Sequence, residues 1–478
     1  MTVAARDTTE TLDLGQPGAV LLVSCYELGR QPLNLAFPLA YLREAGYRPA
    51  VVDTAVEPLT GEQIERARLV AISVPMHTAL RLGLQIAEQI RLLNPSAQVC
   101  FYGLYAWLNA DYLLGPEGAP AADYVIGGEF EAPLLRLIQA LEKGQTKSVE
   151  GVGSRNHKVE PSLERVSFFT PDRADLPNME DYAWLIDGER NVPAGYTEAT
   201  RGCHHLCRHC PVVPIYNGRF FAVPRSIVVD DIRRQVEAGA GHITFGDPDA
   251  LNGPTHLLRI LRAIHADHPE VTFDITTRIE HIIENRAIFP ELAELGCIFI
   301  TSAVESVSEL VLAKIDKGHT QADITAALDI CNSAGVALRP SLLPFTPWTT
   351  LEDYLELIEF VEEHDMIENV DPVHLSIRLL VPPGSALLDQ PDTAEWLGPL
   401  DEASFTYKWT HADARVDDLQ RTVARLAETA AGAEWDAYTT FEAIRAAAYT
   451  AAGRTPAIGA VRHRSRKAPP RLTESWFC

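Results

Sequence analysis

Three cysteines within a single short segment constrain this chain more than any other feature. Cys203, Cys207 and Cys210 have the spacing C-x3-C-x2-C and lie within Thr200–Pro211. A cubane 4Fe-4S cluster contains four irons, and clusters that only transfer electrons are held by four thiolates. Three thiolates leave one iron open to a further ligand. The spacing therefore predicts an iron–sulfur enzyme rather than a simple electron carrier.

The motif resembles the signature of the radical SAM superfamily, in which the open iron chelates the amino and carboxylate groups of S-adenosylmethionine (SAM). The resemblance implies that Cys203, Cys207 and Cys210 are the metal ligands and catalytic residues. One electron from the cluster then breaks a carbon–sulfur bond of SAM and yields methionine and a carbon radical. His209 lies where the family usually has an aromatic ring, so it is a candidate cofactor-binding residue.

Zinc and disulfide bonds are the alternatives for these cysteines. Zinc takes four nitrogen or sulfur ligands in a tetrahedron, and His204, His205 and His209 lie among the thiols. Structural zinc sites usually use two separated ligand pairs, and no second C-x2-C or H-x3-H occurs elsewhere. Eight cysteines in 478 residues are too sparse for a disulfide framework. The cysteines that lie in or beside apolar runs are predicted to be buried core thiols: Cys25, Cys100, Cys297 and Cys331.

Composition restricts the class of partner. The net charge of −24 argues against a protein that coats nucleic acid through bulk electrostatics, so a small-molecule substrate is expected. No apolar run approaches the roughly 20 residues that span a bilayer. The segment Met1–Gln16 is polar and lacks the apolar core of a signal peptide. We therefore expect a cytoplasmic enzyme with no membrane association.

Short apolar runs alternate with helical patterns over residues 18–143, after a polar lead at 1–17. The pattern predicts strands at Ala19–Cys25, Pro49–Asp53, Leu69–Val74, Gln98–Tyr102 and Asp123–Ile126, and helices at Leu33–Ala45, Gly61–Ala67, Thr78–Leu93, Ala106–Leu113 and Glu129–Glu142. Such alternation predicts an α/β, Rossmann-like, doubly wound parallel sheet. Its ligand crevice should lie at the carboxyl ends of the strands, in the loops Tyr26–Leu33, Pro75–Thr78, Gly103–Trp107 and Gly127–Phe130.

This half resembles the cobalamin-binding domain that precedes the core of one large radical SAM subgroup, including Gly127-Gly-Glu-Phe-Glu131 at its end. The resemblance makes cobalamin a candidate cofactor. The Asp-x-His-x-x-Gly motif that supplies a histidine to cobalt in many cobalamin proteins is absent, but radical SAM relatives commonly bind cobalamin without it. The alternative is a Rossmann-like domain that has lost its cofactor and serves as a lid or docking surface.

Residues 144–192 are predicted to be a linker, and residues 193–385 a radical SAM core. The expected barrel strands are Tyr196–Thr200, His242–Phe245, Thr272–Thr276, Cys297–Ser302, Ala337–Leu342 and His374–Leu379. The expected helices between them are Pro224–Ala238, Pro254–Asp267, Ser308–Ile315, Gln321–Ala334 and Leu351–His364. Six such units correspond to the partial (βα)6 barrel of the superfamily, in which the loops at strand ends carry the chemistry.

The resemblance then assigns roles to polar residues at the strand ends. Gly246 and Asp247 are expected to hold the SAM amino group, Glu305 the ribose hydroxyls, and Arg339 the SAM carboxylate. Ser376, on the expected sixth strand, is a further candidate for cofactor binding, as is Arg378. Each of these residues has the alternative of a purely structural polar role.

Residues 386–478 are expected to form a mainly helical extension, with helices near Asp417–Ala431 and Trp435–Ala451 and a basic run at Arg462–Lys467. The terminal Leu472–Cys478 and the segment Ser24–Pro32 resemble the radical SAM family named for its CUAEP or CCAEP tail. The chain stops at the position of the first tail cysteine of that family. One hypothesis is that a selenocysteine codon follows Cys478; the alternative is an incidental terminal cysteine.

Together these features predict a radical SAM enzyme that cleaves SAM reductively, with flavodoxin or ferredoxin as the electron donor. If cobalamin is present, the expected reaction is methyl transfer to a small molecule or natural-product precursor. If cobalamin is absent, hydrogen abstraction with rearrangement, or transfer of a SAM-derived group to a soft atom, is expected instead. An alternative of another class is a non-catalytic iron–sulfur redox or binding protein.

Overall fold

The computed structural model describes residues 12–115, 121–165, 167–455 and 468–473. The basic run and Cys478 therefore lie outside the described residues. No helix within these ranges combines the length and the apolar character that crossing a membrane requires.

The N-terminal part is a six-stranded sheet in the order β2-β1-β3-β4-β5-β6, with β6 the one antiparallel strand. The strands are β1 Val20–Ser24, β2 Ala50–Asp53, β3 Leu69–Ser73, β4 Gln98–Tyr102, β5 Tyr124–Ile126 and β6 Gly153–Ser154. The helices are α1 Leu33–Glu44, α2 Gly61–Arg66, α3 His77–Leu93, α4 Leu104–Leu108, α5 Ala110–Leu114 and α6 Glu131–Glu142. Hydrophobic clusters cover both faces of the sheet, as a doubly wound fold requires.

The second sheet has seven strands in the order β14-β13-β12-β11-β8-β7-β17 and is parallel from β8 to β14. Its strands before the C-terminal extension are β7 Trp184–Asp187, β8 Arg190–Thr197, β11 His242–Phe245, β12 Thr272–Thr277, β13 Cys297–Glu305 and β14 Ala337–Leu342. A separate antiparallel pair consists of β9 Thr200–Gly202 and β10 Phe220–Ala222. The sheet is a curled half-barrel, as the sequence predicted.

Helices on the outside of the half-barrel bury its main hydrophobic core. They are α8 Arg225–Glu237, α9 Pro254–Asp267, α10 Ile279–Glu284, α11 Phe289–Glu294, α13 Gln321–Ala334 and α14 Leu351–Glu363. Two further helices, α7 Val213–Tyr216 and α12 Glu309–Lys314, contribute no residue to this core, and α7 packs in a smaller cluster. Thr320 and Thr350 form capping boxes at the starts of α13 and α14, which explains why those helices begin where the sequence predicted.

The extension after the barrel contains α15 Thr393–Trp396, β15 Leu397–Asp401, β16 Thr406–Trp409, α16 Ala414–Gly432, α17 Ala437–Ala451 and β17 Arg471–Leu472. The two long helices confirm the helical expectation, whereas the β15–β16 hairpin was not predicted. Phe405, at the tip of the hairpin, is buried in one of the N-terminal hydrophobic clusters. The extension thus packs against both halves of the chain.

Two predicted barrel strands differ from the observed ones. The expected first strand Tyr196–Thr200 is interrupted, because the Ala199 amide donates to the Asp247 carboxylate instead of to a neighbouring strand. The expected sixth strand His374–Leu379 is wrong: Pro372–Leu375 forms a 3-10 helix, and only Arg378 makes an isolated bridge, to Phe345. Proline at the start of that segment favours the helical turn.

Candidate functional site

The three cysteines lie in the loop between β9 and α7, beyond the carboxyl end of β8. Cys207 is buried, whereas Cys203 and Cys210 are partly exposed, and all three are free thiols. The loop begins at Gly202, which has a φ of 76°. A Cβ there would come within 2.5 Å of the Arg219 carbonyl oxygen and the Tyr216 ring. Only glycine fits this turn, so the backbone enters the loop in a fixed direction.

The surroundings of Cys203 and Cys210 oppose the loss of their protons unless a positive charge is close. Burial raises the pKa of Cys203 and raises that of Cys210 to about 12, and each of these thiols is close enough to Cys207 for like charge to add to the effect. Deprotonation therefore needs a nearby positive charge, which the irons of a cluster provide. Three free thiols on one loop fit the donor set of a cluster that keeps one iron open.

Arg278 supplies a fixed positive charge beside the loop. It follows β12, is buried, and donates from Nη1 to Sγ of Cys207 at 2.6 Å. Its other nitrogens contact the Glu280 carboxylate and the Lys317 carbonyl. Because these contacts hold the guanidinium in place, its positive charge stays directed at Sγ of Cys207.

Glu305 lies at the carboxyl end of β13 with a φ of 63°, in the left-handed region that residues other than glycine rarely adopt. Its Oε1 lies 3.2 Å from Nζ of Lys317 and 3.3 Å from Nε2 of His209. Burial opposes the charge of Glu305, but Lys317 and His209 outweigh burial and hold the pKa of its carboxyl well below the usual range. The structure therefore brings His209 and Glu305, two predicted site residues, into contact.

Gly246 and Asp247 lie at the end of β11. A side chain at Gly246 would collide with the Tyr196 ring. Asp247 is buried, and its two oxygens accept hydrogen bonds from the Ala199 amide at 2.9 Å and the Thr200 hydroxyl at 2.6 Å. Burial raises the pKa of Asp247 to about 6. In this structure Asp247 braces the entry to the cysteine loop, and its contact with SAM stays a prediction.

Arg339 and Ser376 are not among the groups that contact the cysteines. Nη2 of Arg339 lies 2.8 Å from Oδ1 of Asp371, and its Nη1 faces the Pro470 carbonyl at 3.4 Å. The Ser376 hydroxyl donates to the Val373 carbonyl at 2.8 Å. Both side chains have structural partners, and their roles toward SAM also stay predictions.

Three histidines form a compact group beside the cysteine loop. The ligand nitrogens of His204, His205 and His281 all lie within 4.8 Å of one another. Nε2 of His205 lies 3.3 Å from Nε2 of His281, and Nδ1 of His281 lies 2.8 Å from Oδ2 of the buried Asp249. Burial, then the charge of Arg278, lowers the pKa of His205 to about 4. Neutral imidazole is the form that binds metals.

The cysteine loop is attached to the N-terminal half through the buried carboxylates Glu129 and Glu131. Glu129 contacts Nη1 of Arg201 at 3.1 Å and accepts from the Tyr216 hydroxyl at 2.9 Å. Arg201 precedes the cysteines and Tyr216 follows them. Arg201 also pairs with Glu131 and Glu198 and lies against the rings of Phe37, Phe130 and Phe168. The two halves of the chain therefore meet at the cysteine loop.

The expected ligand crevice of the N-terminal half is partly filled. Beyond β3, Nε2 of His77 lies 2.5 Å from the Ser404 carbonyl oxygen, and Phe405 packs on Tyr112. Beyond β4, Leu108 packs with Val212, Ile215 and Tyr216 of the cysteine region. A cavity of about 450 Å³ remains beyond β1 and β2. It is lined by polar groups that include Glu27, Asp53 and Tyr182.

Sequence reasoning did not single out Arg278, Lys317, Asp249 or His281. Arg278 and Asp249 follow β12 and β11, so the rule that functional groups lie beyond the carboxyl ends of parallel strands could have found them. No comparable signal marks Lys317 and His281, because they lie after or within helices and reach the site only through the packing of those helices.

Comparison with known proteins gives a family match over the barrel. The family model "Radical SAM superfamily" matches residues 197–361. The anaerobic magnesium-protoporphyrin IX monomethyl ester cyclase of Rubrivivax gelatinosus is 23% identical over 327 residues, which are 64% of this chain and 57% of the cyclase. An uncharacterized methyltransferase of Pyrococcus horikoshii is 23% identical over 349 residues, which are 70% of this chain and 74% of the methyltransferase. The chain thus spans little more than half of the cyclase.

Solved structures extend the likeness of fold beyond the barrel. The cobalamin-dependent SAM radical enzyme OxsB, with aqua-cobalamin and SAM bound, matches with a TM-score of 0.67 and 16% identity over 86% of this chain and 67% of that one. The radical SAM methyltransferase TsrM of Kitasatospora setae, with tryptophan and a SAM analogue bound, matches with a TM-score of 0.57 and 19% identity over 72% and 71%. At these identities the likeness is one of fold.

Proposed function

We propose that this chain is a radical SAM enzyme, which cleaves SAM reductively and transfers a SAM-derived group to a small organic substrate. The observation that carries the proposal is the presence of Cys203, Cys207 and Cys210 as free thiols on one loop beyond the first parallel strand of the half-barrel, close enough for their charges to interact. A 4Fe-4S cluster on these thiols supplies, when reduced, the electron that breaks the carbon–sulfur bond of SAM.

The chain's own residues fix the site around that chemistry. Arg278 donates to Sγ of Cys207, and we propose that this hydrogen bond positions the sulfur that binds iron. Asp247 braces the strand that leads into the loop through Ala199 and Thr200. Glu305, kept ionised by Lys317 and His209, offers a carboxylate that we propose accepts hydrogen bonds from the SAM ribose.

Arg339 requires a rearrangement to take the role we expected from the sequence. Its guanidinium is paired with Asp371, so binding the SAM carboxylate would mean exchanging one carboxylate partner for another. We therefore propose Glu305 ahead of Arg339 as a SAM contact. We also propose a small electron-transfer protein, such as flavodoxin or ferredoxin, as the reductant, and a reducing cytoplasm as the compartment.

Group transfer is supported by the kind of relatives that the chain resembles. They include a bacteriochlorophyllide d C-8(2)-methyltransferase of Chlorobaculum tepidum, 22% identical over 301 residues, and the uncharacterized methyltransferase of Pyrococcus horikoshii. We propose methyl transfer to a small molecule or natural-product precursor as the reaction class. The OxsB-like arrangement of the two halves supports cobalamin as the second cofactor.

The crevice of the N-terminal half is partly filled in this conformation. Its cavity of about 450 Å³ has the size of a pocket for a drug-sized ligand, and Phe405 occupies the region beyond β3. This packing favours a second candidate function, in which a SAM-derived group is transferred without cobalamin. Retention of a corrinoid spectrum after desalting supports the first candidate. Loss of that spectrum in the unaltered chain and in Phe405→Ala supports the second.

The central test is anaerobic reconstitution with iron and sulfide, followed by incubation with SAM and dithionite and mass spectrometry of the products. We expect 5′-deoxyadenosine or S-adenosylhomocysteine from the unaltered chain, and neither from Cys203→Ala. Cys331→Ala, which removes a buried thiol outside the loop, is the matched control and should retain turnover. A reconstituted chain that carries the cluster but consumes no SAM would support a non-catalytic iron–sulfur protein instead.

A further inference from the structure

We propose that His204, His205 and His281 form a mononuclear Zn²⁺ site beside the cysteine loop, distinct from the thiol site and with one coordination position open to solvent. Of these three histidines, the loop itself contains only His204 and His205. The fold adds the third from α10, a separate element of the barrel.

The distances within the group suit zinc. Zinc binds imidazole nitrogen at about 2.0–2.1 Å, so two nitrogens on one edge of a tetrahedron lie about 3.3 Å apart. Nε2 of His205 and Nε2 of His281 are 3.3 Å apart. The nearest ligand nitrogen of His204 completes a set that lies within 4.8 Å, a spacing that a small rotation of an exposed side chain closes.

A buried carboxylate supports the group from behind. Asp249 is fully buried, and its Oδ1 accepts from the Leu251 amide and the Thr277 hydroxyl. Its Oδ2 faces the histidines, 2.8 Å from His281 and 3.6 Å from His205. Neither Oδ2 nor Nδ1 of His281 forms a hydrogen bond of normal geometry among the described residues. In zinc sites, a carboxylate commonly accepts a hydrogen bond from a metal-bound histidine in this way and fixes the orientation of its ring.

The surrounding charges tolerate a dication. Arg278 is the positive group next to the histidines, and its guanidinium is paired with Glu280. Asp249 adds a negative charge directly behind the site. His204 is exposed, so water or a donor atom of a bound molecule can reach the fourth position. Three protein ligands with one open position are the arrangement of reactive rather than structural zinc sites.

The test uses the full chain with its cluster reconstituted. After one equivalent of Zn²⁺ and desalting, we expect one zinc per chain in addition to the cluster iron, measured by plasma mass spectrometry. X-ray absorption at the zinc edge should show nitrogen or oxygen neighbours at about 2.0–2.1 Å and no sulfur at about 2.3 Å. Sulfur neighbours with loss of iron would overturn the proposal, because zinc would then occupy the thiols.

Variants separate the site from general effects on folding. His204→Ala removes an exposed ligand and should weaken zinc binding at least about 10-fold while the iron content stays unchanged; Asp249→Asn, which removes the outer carboxylate, should weaken it about 10- to 100-fold. His364→Ala is the matched control, because His364 lies at the end of α14 and stacks on Phe360. Equal zinc affinity in the unaltered chain and in His204→Ala, or no retained zinc in the unaltered chain, would contradict the site. Both outcomes are independent of SAM turnover.

Discussion

Arg278, a buried residue at the start of α10, donates a hydrogen bond to Sγ of Cys207 in the cysteine loop. The contact places a permanent positive charge on one thiol of the three. It distinguishes Cys207 from Cys203 and Cys210, whose pKa values are raised by burial. Of the three thiols, Cys207 is therefore the one that a buried guanidinium holds by a hydrogen bond.

Arg278→Gln should weaken cluster retention. The substitution removes a hydrogen bond to a charged group, an interaction that contributes about 1.5–3 kcal/mol. Iron per chain and visible absorption after desalting measure the effect. Arg262→Gln, which alters an exposed pair with Glu291, serves as the control and should retain its iron. Equal iron content in both variants would show that Arg278 is not needed to hold the cluster.

Lys317→Met should destabilise the fold through Glu305. The two side chains are only 4% and 11% exposed, and loss of one partner of a buried ion pair costs about 3–5 kcal/mol. Lys314→Met breaks a more exposed pair with Asp392 and should cost at most about 1 kcal/mol. Melting temperatures of the two variants test the difference.

The pH dependence of this pair has a defined sign. Lys317 and His209 lower the pKa of Glu305 in the folded state, so the stabilisation is present above the unfolded pKa of about 4.3 and is lost as the pH falls below it. In Lys317→Met this loss on acidification should shrink.

Glu27→Gln should flatten the pH dependence of stability on the alkaline side. Burial, with Asp53 as a second cause, raises the pKa of Glu27 to about 8. Between about pH 4.3 and 8 the folded state holds a proton that the unfolded state releases, so stability falls as the pH rises through this window. Melting temperatures of the unaltered chain should fall from about pH 5 to 8, and those of Glu27→Gln should fall less. The exposed Glu62→Gln should follow the unaltered chain.

Arg201→Met should loosen the contact between the two halves. It leaves Glu129, Glu131 and Glu198 buried without their shared cation, at a cost of about 3–5 kcal/mol. We expect faster proteolytic cleavage in the linker and a lower melting temperature. Arg415→Met, at an exposed pair with Asp413, should change neither. Unchanged cleavage of Arg201→Met would mean that apolar contacts alone hold the halves together.

Periodicity predicted most elements of the fold, because the strands of both sheets are continuous apolar runs bounded by turn residues. Periodicity failed where a side chain, instead of a backbone group, is the hydrogen-bond partner of the main chain. Asn109 donates to the Tyr105 carbonyl and divides a predicted helix into α4 and α5. Asp247 interrupts the first barrel strand in the same manner. The Asp247 contact joins residues 48 positions apart, so a local pattern does not contain it. The Asn109 contact spans four residues, but apolar periodicity does not report side-chain hydrogen bonds.

The candidate site was predictable only where local spacing or strand position determines it. The cysteine spacing is local, and the contact between His209 and Glu305 follows from strand ends that meet at one edge. Arg339 shows the limit of that reasoning: it lies on the expected strand, yet its guanidinium turns to Asp371. Strand position determines where a side chain starts, and the neighbouring loops determine where its charged end lies.

The short strand β17 also covers an edge of the seven-stranded sheet. It pairs antiparallel with β7 and covers what is otherwise the outer edge of the seven-stranded sheet, while the Pro470 carbonyl accepts from Arg339 on β14 at the opposite edge. Unpaired edge strands recruit other chains and promote aggregation. Residues 468–473 thus cover the exposed edge of β7. Their removal would leave β7 free to pair with a strand of another copy of the chain, even if the cysteine site stayed intact.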